Sequence, residues 1–442
     1  MNDPSQKSAA APSEPISPSS RSALLIVFLV VFIDLLGFGI VLPMLPRVAD
    51  TYVAQYLGLA ESTRAVEPAR ENSTAGAILG LLMASFSLMQ FLFAPSWGRL
   101  SDRVGRRPVL LIGLAGSVAF YALFGYAASL SAATSAAFAL ALMFVSRMGA
   151  GVAGATIATA QAVIADCTPP EKRKHGMALI GAAFGIGFTF GPLLGALSLR
   201  LFDNKLESIG YVASVLSLIA LVLGVWLMPE TRRPGEAPTA RRQIFDFAAW
   251  RMVLGNRALA PTVLVFFLAT FGFAGFEVTL SLLLRDRFAV EERDIFLYFA
   301  YIGFVLMLTQ GYFYRKAAKK LMEPTLMTIG IAFMGLGVGV LAVLTGMGTD
   351  SSWLLITGLT AAVVGFAFLT PSAQALVSRR TDPERQGEVL GVNQSASSLA
   401  RIVAPPTFLV LYKATPTHLL PYAVGAAVLL LMLPVMPKIR RG

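Results

Sequence analysis

The sequence predicts an all-α polytopic membrane protein, with twelve transmembrane helices in two pseudo-symmetric six-helix bundles. Three observations carry that prediction. The 442 residues are 56% hydrophobic and only 14% charged, with a mean hydropathy of +0.69, whereas soluble domains carry about a quarter charged residues. Apolar runs near the ~20 residues that cross a bilayer recur from end to end. The chain also partly matches itself at an offset of 213 residues.

The elements follow in order. Residues 1–22 are a Pro/Ser-rich tail, expected to be disordered and cytoplasmic. The first apolar run, 23–46, is longer than a signal-peptide core and has no small-residue cleavage site at its end, so it is read as a retained helix. Further spans are predicted near 75–97, 109–129, 136–165, 177–200 and 209–228, completing an N-terminal bundle over 23–228. A polar linker at 229–258, containing PETRRPGEAPTARRQ, separates it from spans near 259–284, 295–315, 324–345, 352–378, 387–411 and 418–436, a C-terminal bundle over 259–437. Gly and Pro inside several spans are tolerated in membranes where neighbours satisfy the freed backbone groups. The long loop at 47–74, with Asp50, Glu61, Glu67 and Glu71, is expected to fold partly as a helix over the external mouth.

Lys and Arg set the sidedness. With the N-terminus in the cytoplasm, 25 of the 36 basic residues fall in cytoplasmic segments, nine on the opposite side, and Arg147 and Arg401 within spans. Both termini are then cytoplasmic, and a bacterial inner membrane is the expected location. The net charge of +11 reads as this topology signal and as a contact for anionic membrane lipid, not as nucleic-acid binding. A single cysteine, Cys167, excludes an intrachain disulfide and a multi-cysteine metal cluster. With only His175 and His418, no metal constellation or catalytic triad emerges. Neither an enzyme nor a metal, redox or nucleotide cofactor is implied, and a monomer is the expected state.

The repeat places Gly98 on Gly311, Arg103 on Lys316, Arg106 on Lys319, Arg107 on Lys320, Gln161 on Gln374 and Pro170 on Pro383. Two parallel six-helix repeats are a common construction of secondary transporters that alternate access around a midplane site. There is no filter-like loop for a channel and no Gly-rich phosphate cradle for an ATP-driven pump.

Asp34 lies deep in the first span, in FIDLLGFGIVLPMLP. A carboxylate near the middle of a hydrocarbon layer costs at least ~2.5 kcal/mol, so it lines a cavity, pairs with a cation or carries protons. A fixed ion pair or packing hydrogen bond is the structural alternative. Glu277, in FGFAGFEVTLSLLL of span seven, is the second acid at depth, and it is expected to exchange protons, attract a cationic solute or pair with Arg401 of span eleven. Gln161, Gln374, Gln310 and Asn393 are polar side chains at depth, and Phe184 and Tyr301 are aromatics able to line an amphiphilic pocket; packing is the alternative for each. The loop GRLSDRVGRRPVLL joins spans two and three. Its Gly98 and Gly105 permit tight turns, and Asp102, read as near the start of the third helix, favours that helix end, with Arg106 four residues on. In the second copy Arg315 replaces Asp102 and Ala318 replaces Gly105, which predicts unequal gates.

Gly98, Leu100, Asp102, Arg103, Gly105, Arg106 and Arg107 resemble the signature loop of the major facilitator superfamily. Asp34, Gly37, Gly39, Pro43 and Pro46 resemble the first helix of its twelve-span drug/proton antiporters, the tetracycline-efflux-like group in particular. Gly187, Gly191, Pro192 and Gly195 resemble that group's fifth-helix signature, and Arg147 in RMGAGVAGATIA matches its fourth-helix basic residue. The resemblance covers about Leu24 to Pro437. It implies that Asp34 takes part in proton or substrate coupling, that Arg147 is a relay partner or electrostatic trigger, and that the fifth-helix motif packs or bends that helix. Members of the tetracycline group carry further carboxylates in helices three and nine. Here both spans are free of charge, which argues against tetracycline itself.

The reading is a proton-coupled antiporter exporting a small amphiphilic organic solute by alternating access, with Asp34, Glu277, Arg147 and Arg401 as its coupling groups. The alternatives are a uniporter or importer of a metabolite or organic anion, and a non-transporting membrane receptor or scaffold.

Overall fold

The computed structural model describes residues 18–59, 69–167, 173–231, 247–382 and 385–441. Most of the tail and half of the linker therefore lie outside the described residues, as do the side chains of Phe184 and His175. Among the described residues there are helices and no strands.

The N-terminal half consists of α1 (Pro18–Val41), α2 (Leu45–Tyr56), α3 (Ala69–Val104), α4 (Arg106–Ser129), α5 (Ala132–Gly154), α6 (Ile157–Cys167), α7 (Arg173–Leu201) and α8 (Glu207–Leu227). After the short α9 (Phe247–Gly255), the C-terminal half consists of α10 (Ala260–Phe288), α11 (Glu292–Leu308), which runs through a π turn (Thr309–Tyr314) into α12 (Arg315–Ala317), then α13 (Glu323–Met347), α14 (Ser352–Arg379), α15 (Gln386–Lys413), α16 (Leu419–Leu430) and α17 (Met436–Arg441). Among the described residues nine helices are long and apolar enough to cross a membrane, or ten when the bent pair α1–α2 is one span. With α7, whose Gly185–Leu201 stretch is a shorter apolar helix, and the more polar α15, they accommodate the twelve predicted passes.

Sequence explains the breaks. Pro43 and Pro46 flank the junction where α1 and α2 bend by 42°, because Pro supplies no N–H and clashes with the preceding turn. Between α5 and α6 the helix opens at Ala155–Thr156, and α3 receives the freed carbonyls: Trp97 Nε1 donates to Val152 O at 2.7 Å and Gln90 Nε2 to Gly154 O at 3.1 Å. The predicted helix in the 47–74 loop is α2, continuous with the first span; residues 60–68 lie outside the described residues.

In lipid there is no hydrophobic drive between helices, so small residues that let backbones approach do much of the packing. A Cβ placed on Gly191 of α7 would lie 2.8 Å from the Cα of Gly39 in α1, so neither helix tolerates a side chain there. The outer surface is correspondingly apolar, with Trp226 and Trp353 about four-fifths exposed (79% and 83%).

The halves touch mainly through α3 against α15 and α7 against α11. These contacts lie toward the face opposite the basic loops: Gly76 and Gly80 of α3 against Leu409, Val410 and Pro406 of α15, Gly195 of α7 against Phe296, and Gly303 of α11 against Phe188 and Thr189. At the basic ends, Gly98 and Gly311 meet no heavy atom within 4 Å of an added Cβ. The close approaches between the halves thus gather on the face opposite the basic loops.

Candidate functional site

Asp34 lines a cavity between α1, α4 and the α5–α6 break, with Val30, Val31, Leu35, Leu110, Leu114, Thr156 and Ala160. The Ser117 hydroxyl of α4 hydrogen-bonds the carboxylate, and its Oδ1 is buried without a partner. Arg147 of α5 is 2% exposed. Its guanidinium carbon lies 4.5 Å from the Phe86 ring centroid, and its Nε and Nη1 have no hydrogen-bond partner. Among the described residues neither Asp34 nor Arg147 is in a salt bridge, and the buried Tyr121 lies in the neighbourhood of both. This half thus holds an acid and a base at depth that do not neutralise each other.

The C-terminal half differs. Glu277 of α10 and Arg401 of α15 approach to 3.7 Å, their side chains 10% and 37% exposed. Gln394, Ser398 and Arg401 recur at helical spacing on one face of α15, which at Pro405 and Leu409 turns onto α3. That face therefore borders the gap between halves. Phe273, near Glu277, stacks on Phe366 at 3.9 Å.

The remaining predicted residues separate. Gln161 and Gln374, equivalent in the repeat, are both exposed, whereas Asn393 is 2% exposed with Oδ1 unpartnered. Tyr301 Oη is 2.6 Å from Thr360 Oγ1. Gln310 sits in the π turn, a distortion that recurs at functional sites. In the fifth-helix motif Gly187 packs on Leu35, Gly191 on Gly39 and Gly195 on Phe296, and Pro192 lies inside α7. This motif sits in helix packing.

The basic-face loop corrects one expectation. Asp102 is in the last turn of α3, not at the start of the next helix, so it faces the unfavourable end of its own helix dipole. Arg106 compensates: Nη1 donates to Asp102 Oδ1 at 2.6 Å and Nε to Asp166 Oδ2 at 3.2 Å. The N-terminus of α4 is served by Glu230, whose carboxylate accepts from the backbone N–H of Arg106 at 2.9 Å and of Arg107 at 3.1 Å. Gly105 has φ +105°, a backbone conformation that calls for glycine, and an added Cβ would lie 2.4 Å from Glu230 Oε2 and displace that carboxylate from the helix end. Arg107 donates to Val225 O, and Arg103 is exposed. The cluster ties α3, α4, α6 and the end of α8 together within one half.

On the opposite face lies a site that sequence reasoning missed. Asp50 of α2, 2% exposed, accepts from Arg285 Nη2 at 2.9 Å and Lys413 Nζ at 2.8 Å. Arg285 also pairs with Asp286, which accepts from Tyr412 Oη at 3.0 Å. The Tyr412 ring stacks on His418, whose Nδ1 is 2.9 Å from the Tyr412 carbonyl. Arg47 and Glu292 add a second cross-half pair at 3.0 Å. Burial holds the His418 imidazole below its ordinary pKa, against the raising effects of the Tyr412 carbonyl contact and of Asp286. The Asp50 partners lie 235 and 363 residues away, so only its place in an otherwise weakly polar helix could have singled it out. Among the described residues no group of three or more His, Cys, Asp or Glu is arranged to hold a metal ion.

Comparison with known proteins supplies the context. The sequence pattern of the Major Facilitator Superfamily matches residues 27–405 and 323–438. "Tetracycline resistance protein, class C" of Escherichia coli is 31% identical over 425 residues, covering 96% of this chain and 98% of that protein. "Major facilitator superfamily domain-containing protein 10" of Homo sapiens is 32% identical over 424 residues, covering 89% and 88%. The crystal structure of the human organic anion transporter MFSD10 (TETRAN) superposes with a TM-score of 0.64 at 26% identity, covering 95% of this chain and 100% of that one. A D-xylose–proton symporter shares the fold, with a TM-score of 0.74 at 17% identity over 94% and 97% of the two chains.

Proposed function

The chain belongs to the major facilitator superfamily, a multi-pass membrane transporter family of tetracycline-efflux-like members, and on that premise we propose that it is a proton-coupled antiporter exporting a small amphiphilic organic solute. The observation that carries the reading is the unpaired, cavity-lining Asp34. A carboxylate held at depth with no cation to fix its charge is suited to gain and lose a proton as access alternates. The Asp50 and Arg47 pairs hold the external face shut while the cytoplasmic face is parted, and a solute entering from the cytoplasm meets Gln161, Gln374 and the Gln394–Arg401 face. In this reading the basic face and both termini are cytoplasmic, the membrane is the bacterial inner membrane, and residues 229–258 link halves spanning 23–228 and 259–437.

One observation favours a second reading, an importer of an organic anion. Arg401 is the more exposed member of the Glu277 pair, and the human relative MFSD10 is an organic anion transporter. An anion held by Arg401 leaves Glu277 without its cation, and a proton on Glu277 restores the balance. Anion and proton would then travel together, so the sign of coupling separates the readings.

Purified protein in proteoliposomes loaded with a pH-sensitive dye tests both, using cationic, neutral and anionic amphiphiles. Solute-driven proton movement in the opposite direction, suppressed by Asp34→Asn, is expected. Movement in the same direction, confined to anions and suppressed by Glu277→Gln, establishes the second reading. Saturable flux that ignores the gradient and both substitutions leaves a facilitator.

A further inference from the structure

We propose that residues Tyr312–Met322, the second copy of the basic-face loop, form a binding site for anionic phospholipid headgroups. The repeat makes the case residue by residue. In the first copy Arg106 is neutralised by Asp102 and Asp166. At the offset of 213 residues these acids become Arg315 and Arg379, while Arg106 and Arg107 become Lys319 and Lys320. The cations are kept and both acids are reversed.

Arg315, Lys316, Lys319 and Lys320 are all exposed, and among the described residues no carboxylate lies in ion-pair range of any of them. Glu323, the acid nearest in sequence, is engaged by Arg379 at 2.6 Å. The Lys316 ammonium is 5.9 Å from the Tyr312 ring centroid, the outer edge of a cation–π contact. Arg315 and Lys319, like Lys316 and Lys320, stand four residues apart in a turn closed by Ala318 N–H to Tyr314 O and Leu321 N–H to Ala317 O. Like charges so spaced repel, and an anion bridging them removes the penalty.

The flanking side chains select the kind of anion. Tyr312 (56% exposed) and Phe313 (49%) precede the cations, and Leu321 (40%) and Met322 (64%) follow them. A loop facing water would expose four cations without this apolar frame. A diacyl phospholipid matches both parts, its phosphodiester against the cations and its acyl chains beside the apolar residues. This site does not depend on the transport reading.

Native mass spectrometry of the full-length protein titrated with dioleoyl phosphatidylglycerol, dioleoyl phosphatidylcholine and inorganic phosphate provides the test. Each basic residue near an anionic headgroup contributes roughly 1 kcal/mol. The combined R315Q/K316Q/K319Q/K320Q variant is therefore expected to lose at least about tenfold in phosphatidylglycerol affinity. The K438Q/R440Q variant, altered elsewhere on the basic face, is expected to keep wild-type affinity, and phosphatidylcholine to bind weakly throughout. Because the fourfold variant removes topology-determining charges, photo-crosslinking of wild type with a benzophenone phosphatidylglycerol gives an independent readout, with adducts expected within 309–323. Equal losses in both variants, displacement by inorganic phosphate, or adducts spread evenly over the basic face would overturn the proposal.

Discussion

Arg106 sits between Asp102 and Asp166, whereas Lys319, its counterpart in the second half, has Arg315 and Arg379 where those acids stand. At mid-membrane depth the relation inverts. Asp34 and Arg147 of the first half remain unpaired, while Glu277 and Arg401 of the second pair with each other. Each half is self-neutralised at one depth and not at the other. A charge settled by its own chain makes a fixed anchor, whereas an unsettled one responds to what approaches it. The first half is thus rigid at its basic end and responsive in its core, and the second half is the reverse.

The largest test of this contrast is in the cores. Asp34→Asn should reduce solute-driven proton flux by roughly tenfold or more, the size of losing at least about 1.4 kcal/mol of state-specific stabilisation. Glu277→Gln should cost less, since Arg401 already compensates the acid; equal losses in dye-loaded proteoliposomes would break the contrast. Next comes the seam where the halves meet. Asp50→Asn leaves Lys413 uncompensated and removes one partner of Arg285, so the ratio of states open to states closed on the face opposite the basic loops should rise about tenfold or more. Spin-label distances across the ends of α2 and α10 on that face would report it, and an unchanged distribution would remove Asp50 from the closure.

A smaller difference is expected at the basic ends. Arg106→Ala strands two partly buried carboxylates and should destabilise by about 1–2 kcal/mol. Lys319→Ala should stay within about 0.5 kcal/mol. Thermal unfolding in detergent compares them directly. The smallest effect belongs to His418. Its folded pKa lies below the ordinary 6.5, so on acidification the unfolded chain takes up the proton first. Stability is unaffected above pH 6.5 and falls as pH drops below it, by no more than about 1.4 kcal/mol at pH 5.5. His418→Gln should flatten that slope between pH 7.5 and 5.5.

Much of this was legible in the sequence because membranes impose long-range order through local rules. Span length, basic-residue asymmetry and the 213-residue offset predicted the helices and which loops share a face. Asp34 and Glu277 stood out because acids in apolar runs are rare. What escaped depends on tertiary contact. Asp50 read as one of several loop acids, since the cations that bury it come from α10 and α15. Asp166 and Glu230 carried no mark in the sequence, because only the fold brings them to Arg106. Asp102 was placed one helix too late because the sequence carries no mark showing that α3 runs through it to Val104.

The π turn at Thr309–Tyr314 has a consequence for length variation. Such a turn accommodates one residue more than the α-helix it interrupts. Deleting a single residue from a membrane span normally turns everything beyond it by about 100° and exposes the wrong surface to lipid. Here a one-residue deletion can be absorbed by regularising the helix, so that Arg315–Lys320, beyond the turn, keep nearly the direction they have now. Chains differing by one residue at this point would keep the same carrier and present their terminal cations to the same surroundings.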